Sequence, residues 1–299
     1  MKQMKAPKID LGSDINDLEE KALASLKSDQ DVYRVIHDDL ELTNAEVRLH
    51  LGSLIDLQND MNVCKSCPGL ENCPKSHPAF CMKLAFIEGE LQRLYEPCKL
   101  KQTHDEVRSR FFIRDFPEEW MDLDIRNVDR TGVRKELILK LQSILKEKDK
   151  SWIYVTGKHR IGKSFILAML AKEYAANHRP VGFALTSKLI DNLKEKAIKE
   201  KEKFDRNMKL LGMTDLLVLD EFGNEFKSDF VFANILYPLL STRAKEGKLT
   251  WFTSDFEIEE IVSMYKSKIG DVRARQFQRL LVDCCGKEIE LNGVAVYDK

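Results

Sequence analysis

The chain has 299 residues, 43% of them apolar and 32% charged, a composition that supports a packed core and excludes wholesale disorder. A formal net charge of −1 does not announce a nucleic-acid partner, so any such contact has to come from a local basic face. No apolar run reaches the roughly 18 residues needed to cross a bilayer. The opening MKQMKAPKIDLGSD lacks the apolar core of a signal peptide, so the expected setting is the cytoplasm, with no membrane partner.

The length suits two domains better than one. Residues 14–60 read as helical, with Leu18, Ala22, Leu23 and Leu26 recurring at helical spacing. Thr43 followed by Glu46 is a capping-box pattern, opening a run that puts Val47, Leu51, Leu54 and Ile55 on one face. Residues 61–81 are turn-rich, and a helix is expected from Lys83 to Tyr95. The stretch 97–120, with Pro97, a basic segment and Pro117, reads as a linker. The expected division is therefore a small, mostly helical domain over 1–96, a linker over 97–120 and a larger domain over 121–299.

The larger domain alternates strands and helices. A helix over Val133 to Lys146 precedes a strand at Trp152 to Thr156, and a helix from Lys163 to Asn177 comes next. Val181 to Leu185 reads as a strand, Lys188 to Lys203 as a charged helix, and Leu216 to Leu219 as a strand buried on both faces. A helix over Phe230 to Lys245 and a strand over Leu249 to Thr253 complete the pattern. Such alternation predicts an α/β domain with a parallel sheet and helices on both sides.

Five of the seven cysteines, Cys64, Cys67, Cys73, Cys81 and Cys98, lie in one short stretch. In a reducing compartment a cluster of this kind reads first as a metal site. Cys64, Cys67, Cys73 and Cys81 have the spacing C-x2-C-x5-C-x7-C, and the first pair sits on a turn closed by Pro68 and Gly69. Four thiolates suit tetrahedral Zn²⁺ and leave no open position for catalysis, so the site is expected to be structural. His77 and Cys98 are substitute fourth ligands, and an iron–sulfur cluster or free thiols are the other readings of the cluster. Cys284 and Cys285 read as ordinary packed or surface thiols.

Residues 157–164 read GKHRIGKS and fit G-x-x-x-x-G-K-[ST] between an apolar strand and a helix. Gly157 and Gly162 let backbone N–H groups curl round phosphate oxygens at a helix N-terminus. Lys163 would reach the β- and γ-phosphates of ATP, and Ser164 would ligate Mg²⁺. The run LLVLDEF ends a buried strand in Asp220 and Glu221, at the sheet edge where ligands bind in open α/β folds. Asp220 is expected to hold Mg²⁺ and Glu221 to polarise the attacking water. Thr253 ends a strand expected beside the acidic one and Ser254 and Asp255 follow it; a polar residue here contacts the γ-phosphate or the attacking water, or else the turn caps a helix. Arg275 and Arg279 share a helix face four residues apart, as a basic surface or as arginines offered to a neighbour's phosphate site. The helix from Lys188 to Lys203 carries a small excess of lysines and reads either as a solvated, ion-paired face or as a contact for single-stranded DNA, with Phe204 as a stacking surface.

Taken together, GKHRIGKSFILAMLAKEYA, LLVLDEFGNEF, WFTSDFE and ARQFQRL resemble the bacterial replicative-helicase loaders of the DnaC and DnaI class, the DnaI type of primosomal protein most of all. The resemblance covers Trp152 to Tyr297 well, and the cysteine cluster between helices matches that type in layout. It implies an AAA+ ATPase domain behind a small zinc-binding domain, with Lys163 and Ser164 as the Walker A pair and Asp220 and Glu221 as the Walker B pair. Lys158, His159, Arg160, Ile161 and Phe165 would line the nucleotide with the residues already named. Asp255 stands at the sensor 1 position, where relatives read TSN, and the acid is a departure. Arg275 and Arg279 match the family's paired arginines, and Arg279 fits the arginine finger better. The implied partners are the hexameric replicative helicase, gripped by the cysteine-bearing domain, single-stranded DNA, other primosome proteins and further copies of the chain. The fourth zinc ligand is histidine in some relatives, and Cys81 holds that place here. The rival readings are a transposition helper ATPase, which lacks such a cysteine-bearing domain, and a P-loop small-molecule kinase, for which no lid segment is evident.

Overall fold

The computed structural model describes residues 11–123, 125–127 and 131–292. The chain forms two compact units, Met1–Thr103 and His104–Lys299.

In the first unit, helices α1 (Leu11–Ser28), α2 (Gln30–Arg34), α3 (Asn44–Leu49) and α4 (Leu51–Lys65) close on Leu23, Leu26, Val32, Ile36, Val47, Leu54 and Leu57. The expected capping box is present: Glu46 N donates to Thr43 Oγ1 at 3.4 Å, and Thr43 N donates to the Glu46 carboxylate at 2.8 Å. The helix expected from Lys83 to Tyr95 is instead a hairpin of strands β1 (Phe80–Ile87) and β2 (Glu90–Pro97), with Ile87 opposite Glu90. Leu84, Ile87, Leu91 and Leu94 recur at helical spacing, which invites the wrong reading. Turn chemistry decides the matter, since Glu88 (φ 54°) and Gly89 (φ 87°) make a two-residue turn with both central residues left-handed, the geometry that joins twisted antiparallel strands. Leu84 and half-buried Met82 and Leu91 then pack on the helical core.

The stretch expected as a linker is largely structured. Helix α5 (Lys99–Ser109) crosses the division in the chain, and Phe111–Arg114 forms strand β3, in register with Val181 to Phe183. Four residues are too few for a periodic signal, and β3 is fixed by its neighbour rather than by its own pattern. Beyond it, Phe116 and Met121 are buried in the core, so the second unit starts well before residue 121.

The second unit is built on a parallel sheet in the order β3-β5-β6-β7-β4-β8 among the described residues. The central strands are β4 (Ile153–Thr156), β5 (Val181–Leu185), β6 (Leu216–Asp220) and β7 (Leu249–Thr253), with β8 (Ile289–Glu290) at the far edge. β4, β6 and β7 are buried along their whole length because helices cover both faces. On one face, α6 (Gly132–Leu145) and α7 (Lys163–Ala176) pack Leu137, Leu141, Ile166 and Leu170 against Ile153, Val218 and Trp251. On the other face, Leu189, Ile235, Leu239, Ile261 and Phe277 meet Tyr154, Leu217 and Phe252.

The expected charged helix is two helices, α8 (Thr186–Lys199) and α9 (Lys201–Met213), broken at Glu200, whose φ of −145° is not helical. The helix expected over Phe230 to Lys245 begins as the short α10 (Asp229–Val231), passes through a π-turn at Phe232–Leu236 and resumes as α11 (Tyr237–Lys245). Pro238 has no N–H to continue the ladder, and a π-turn just before it accommodates the loss. Helices α12 (Ile258–Ile269) and α13 (Asp271–Cys285) complete the unit. The strand ending in Thr253 lies between the loop-bearing strand and the acidic one, the neighbourhood that the motifs imply. No helix among the described residues is long and apolar enough to cross a membrane.

Candidate nucleotide site and cysteine pocket

The loop 157–162 leaves β4 and delivers the chain into α7. Gly157 has φ +140°, and a Cβ there would stand 2.4 Å from the Leu291 carbonyl oxygen and 2.6 Å from Ile161 Cδ1, so only glycine fits. Gly162 takes the left-handed N-cap of α7 (φ 90°), and no side chain caps that helix. The orphan N–H groups of the first turn are thus left to a ligand, and the helix dipole favours an anion. Ile161 is buried and anchors the loop, while Lys158, His159 and Arg160 are exposed along it. Phe165 is half-buried and meets the Trp120 ring edge-on at 5.3 Å. Lys172, further along the same helix, donates to the carbonyls of Trp120, Met121 and Leu123, pinning that segment against α7.

Lys163 is 8% exposed, and its ammonium donates to Gly157 O at 2.7 Å, Lys158 O at 2.9 Å and Asp255 Oδ1 at 2.6 Å. Asp220 ends β6 and is buried. Burial pushes its carboxyl above the usual range, and hydrogen bonds from Thr253 and Ser164 act the other way. Glu221 comes next in the chain with φ +52° and an exposed side chain, so its carboxylate stays in solvent while its neighbour's is buried. Lys163, Ser164, Asp220 and Asp255 are therefore brought to one place, and Glu221 stands at its rim.

Several contacts around these residues depend on the pairing of β6 with β7 and β5. Thr253 Oγ1 donates to Asp220 Oδ1 and accepts from Glu221 N. Thr186 Oγ1 donates to the Asp220 carbonyl at 2.7 Å. Ser254 is fully buried; its hydroxyl donates to Phe222 O at 2.6 Å and accepts from Phe256 N at 3.0 Å, so it braces the acidic loop. The helix-cap reading of this turn does not hold, because the N-cap of α12 is Glu257, boxed with Glu260. Glu225 is 2% exposed and accepts from Tyr265 Oη at 2.7 Å and Gly223 N at 2.8 Å, tying the segment after β6 to α12.

Arg275 and Arg279 are exposed on α13 while Ala274, Phe277 and Leu281 face the core. Neither arginine has a hydrogen-bond or ion-pair partner among the described residues, whereas Arg273 pairs with Asp229 at 2.6 Å. Helix α8 and the start of α9 fit the ion-paired reading: Lys188 pairs with Asp115, Lys199 with Glu195 and Lys203 with Glu200. Phe204 is not a free stacking surface, because it packs against the core. Lys196 has no such partner among the described residues and lines a cavity of about 440 Å³ with Arg114, Asn192 and Asn207 over Phe112 and Leu211.

In the first unit Cys64, Cys67, Cys73, Cys81 and Cys98 line one cavity of about 220 Å³. Cys64 Sγ lies 3.8 Å from Cys81 Sγ. Among the described residues no three metal-binding side chains converge on one point. Lys75 reaches into the cluster: its ammonium donates to Asp60 Oδ2 at 2.6 Å, Phe80 O at 3.1 Å and Cys81 Sγ at 3.7 Å. Burial alone would lower that ammonium, but the Asp60 carboxylate and the thiol sulfurs outweigh it and hold the group above its ordinary value. Two backbone N–H groups, of Ala79 and Lys75, hold the Cys73 thiol below its ordinary range. His77 is exposed, packs at a tilt against Tyr95 with ring centroids 4.0 Å apart, and is not among the residues that line the cavity.

No family model matches the chain. It is similar to the replicative helicase loader DnaI of Bacillus subtilis (strain 168), 21% identical over 251 residues, covering 81% of this chain and 80% of that protein. The crystal structure of DnaI has the same fold over 64% of this chain and 98% of that one, at a TM-score of 0.53 and 21% identity. A candidate primosome component of Streptococcus pyogenes serotype M3 matches over 65% of this chain and 98% of its own, at a TM-score of 0.52 and 20% identity. These comparisons bear out the resemblance carried by the motifs.

Proposed function

We propose that this chain is an ATP-dependent loader that binds the hexameric replicative helicase and delivers it onto single-stranded DNA. The observation that carries the reading is the convergence of Lys163, Ser164, Asp220 and Thr253 at the mouth of a glycine loop, in a chain whose similarity to a helicase loader extends over both units.

In this reading the loop and the first turn of α7 hold the phosphates of ATP, and Lys163 neutralises the β- and γ-oxygens. Ser164 and Asp220 would hold Mg²⁺, which supplies charge neutralisation on the phosphates when bound. The fit rests on Asp220 itself, a buried carboxylate whose raised pKa a nearby cation would reverse. Glu221, exposed at the rim, orients the attacking water. Arg279, with Arg275 beside it, is offered to the nucleotide of an adjacent copy, which accords with its lack of a partner among the described residues.

The first unit is proposed to grip the helicase and to hold one structural Zn²⁺ through Cys64, Cys67, Cys73 and Cys81. Zinc–thiolate bonds of about 2.3 Å at the tetrahedral angle set sulfurs about 3.8 Å apart, which agrees with the Cys64–Cys81 separation of 3.8 Å. Lys75 offsets part of the negative charge of four thiolates. Cys98 lines the same cavity and is the alternative to Cys81, whereas His77 does not line it and packs against Tyr95.

Affinity capture of the cell's replicative helicase by the full chain, with and without ATP, tests the proposal. Capture that depends on nucleotide supports it. No capture in either condition, from an extract in which the helicase is present and folded, overturns it.

A further inference from the structure

A lysine ammonium has three N–H donors. On Lys163 all three are engaged, two by the loop carbonyls of Gly157 and Lys158 and one by Asp255 Oδ1 at 2.6 Å. The last is a charge-assisted bond on a side chain that is 8% exposed, so solvent screens it less than a surface pair. Asp255 does not reach this position by chance of rotamer alone. The preceding residue, Ser254, is locked by its N–H to Val155 O at 2.9 Å and by its hydroxyl to Phe222 O, which fixes the turn from which Asp255 projects. His159 Nδ1 stands 3.6 Å from the other carboxylate oxygen.

The two loop carbonyls belong to the start of the phosphate loop. Asp255 follows β7, the strand beside β4, two residues beyond Thr253, which bonds Asp220. In an ATP site the γ-phosphate would lie between the loop and the acidic strand end, where it would meet the donor of Lys163 that Asp255 engages. A diphosphate would meet Lys163 through its β-phosphate alone and so contend with Asp255 less.

We infer that Asp255 is a specificity-determining residue of the nucleotide site: its carboxylate competes with the γ-phosphate for the Lys163 ammonium, and this chain therefore favours ATP over ADP less than a chain with a neutral residue there. The inference rests on the reading of this site as an ATP site. Its consequence is a loader that keeps its lysine engaged until a triphosphate displaces the acid, with a negative charge facing the transferred phosphoryl group.

The test is equilibrium titration of fluorescent ATP and ADP analogues, with Mg²⁺, into the full wild-type chain, Asp255→Asn and Lys163→Ala. Asparagine is isosteric, so the variant should keep one cooperative unfolding transition, and without nucleotide it should melt slightly lower than the wild type because the charged contact is lost. Asp255→Asn should tighten ATP by about tenfold, the worth of one charge-assisted contact, and ADP by less than about twofold. Equal tightening of both nucleotides, no change in either, or weaker ATP binding overturns the inference, the last by making Asp255 a contact for the triphosphate. Binding of neither nucleotide by wild type, Asp255→Asn or Lys163→Ala removes the nucleotide reading itself, an outcome separable from the others.

Discussion

Thr253 Oγ1 donates to Asp220 Oδ1 at 2.5 Å and accepts from Glu221 N at 2.9 Å, so one hydroxyl at the end of β7 sets the geometry of both acids at the end of β6. Thr253→Val keeps the shape and removes the hydroxyl, leaving a buried carboxylate oxygen and a backbone N–H short of a partner. Each loss costs about 1–3 kcal/mol, and both fall where charge must be held during turnover. ATP hydrolysis is expected to drop by about tenfold or more, with Thr253→Ser recovering most of it. Steady-state ATPase rates of the three proteins check this, and an unchanged rate in the valine variant would remove Thr253 from the site.

How much of this site is legible in the sequence depends on which contacts run along the chain. The glycine loop, Lys163 and Ser164 are neighbours in sequence, and their spacing alone predicts their chemistry. The link from Asp255 to Lys163 depends on β7 lying beside β4, a strand order that no local pattern encodes. Thr253 lies within the Thr-Ser-Asp turn that the sequence singles out, but its role needs the β6–β7 pairing. The hairpin at 80–97 escapes a sequence reading because its apolar spacing also suits a helix, and only Glu88–Gly89 breaks the tie. Strand β3 and the short β8 carry too few residues to show a period.

Arg275 and Arg279 lack partners among the described residues, which fits a role at a neighbouring copy's nucleotide. Lys163→Ala removes phosphate binding from its own site while leaving Arg279 intact. Arg279→Ala does the reverse. Each variant alone should hydrolyse ATP slowly, by about 10³-fold or more for loss of a trans arginine. Mixing them should restore measurable turnover, because some shared sites then combine both intact halves. Absence of recovery, under conditions where the wild type assembles, would place Arg279 in a structural role.

The cysteine pocket is expected to bind one Zn²⁺ per chain. Protein purified without chelator should show that ratio by elemental analysis, and Cys64→Ser or Cys81→Ser should abolish it, since these sulfurs already stand at tetrahedral spacing. Cys98→Ser should leave the zinc in place if Cys81 is the fourth ligand. Retention of metal in Cys81→Ser together with its loss in Cys98→Ser would reverse that choice.

Lys196 is the member of the α8 lysine row that lines the 440 Å³ cavity without an ion-pair partner among the described residues, while Lys199 is engaged by Glu195. If single strands cross this face, Lys196→Glu should weaken their binding several-fold at low salt, and Lys199→Glu should do less. Phosphate contacts release counterions, so affinity of the wild type should fall steeply as salt rises. Fluorescence anisotropy with a labelled oligonucleotide measures both. Equal affinity for wild type and Lys196→Glu would move the contact elsewhere.

Glu288 offers a pH signature outside the nucleotide site. Both its carboxylate oxygens lie 3.3 Å from Ile258 N at the start of α12, whose first turn and cap supply Glu257, Glu259 and Glu260. Burial, and then those three carboxylates, raise its pKa above the ordinary value of 4.5, against the lowering effect of the Ile258 N–H. A carboxyl whose folded pKa is raised stabilises the fold when protonated. That contribution is complete below the ordinary carboxyl value and is lost as pH rises through the folded pKa. At neutral pH the charged Glu288 is therefore a liability. Glu288→Gln, which still accepts from Ile258 N, should raise the melting temperature at pH 7, and the advantage should shrink steadily as the pH is lowered toward 4. Comparing the two proteins at each pH cancels the other acids that titrate over the same range. A melting-temperature difference that is constant from pH 7 to pH 4, or one that grows on acidification, would show that the carboxyl is not held in its neutral form by this environment.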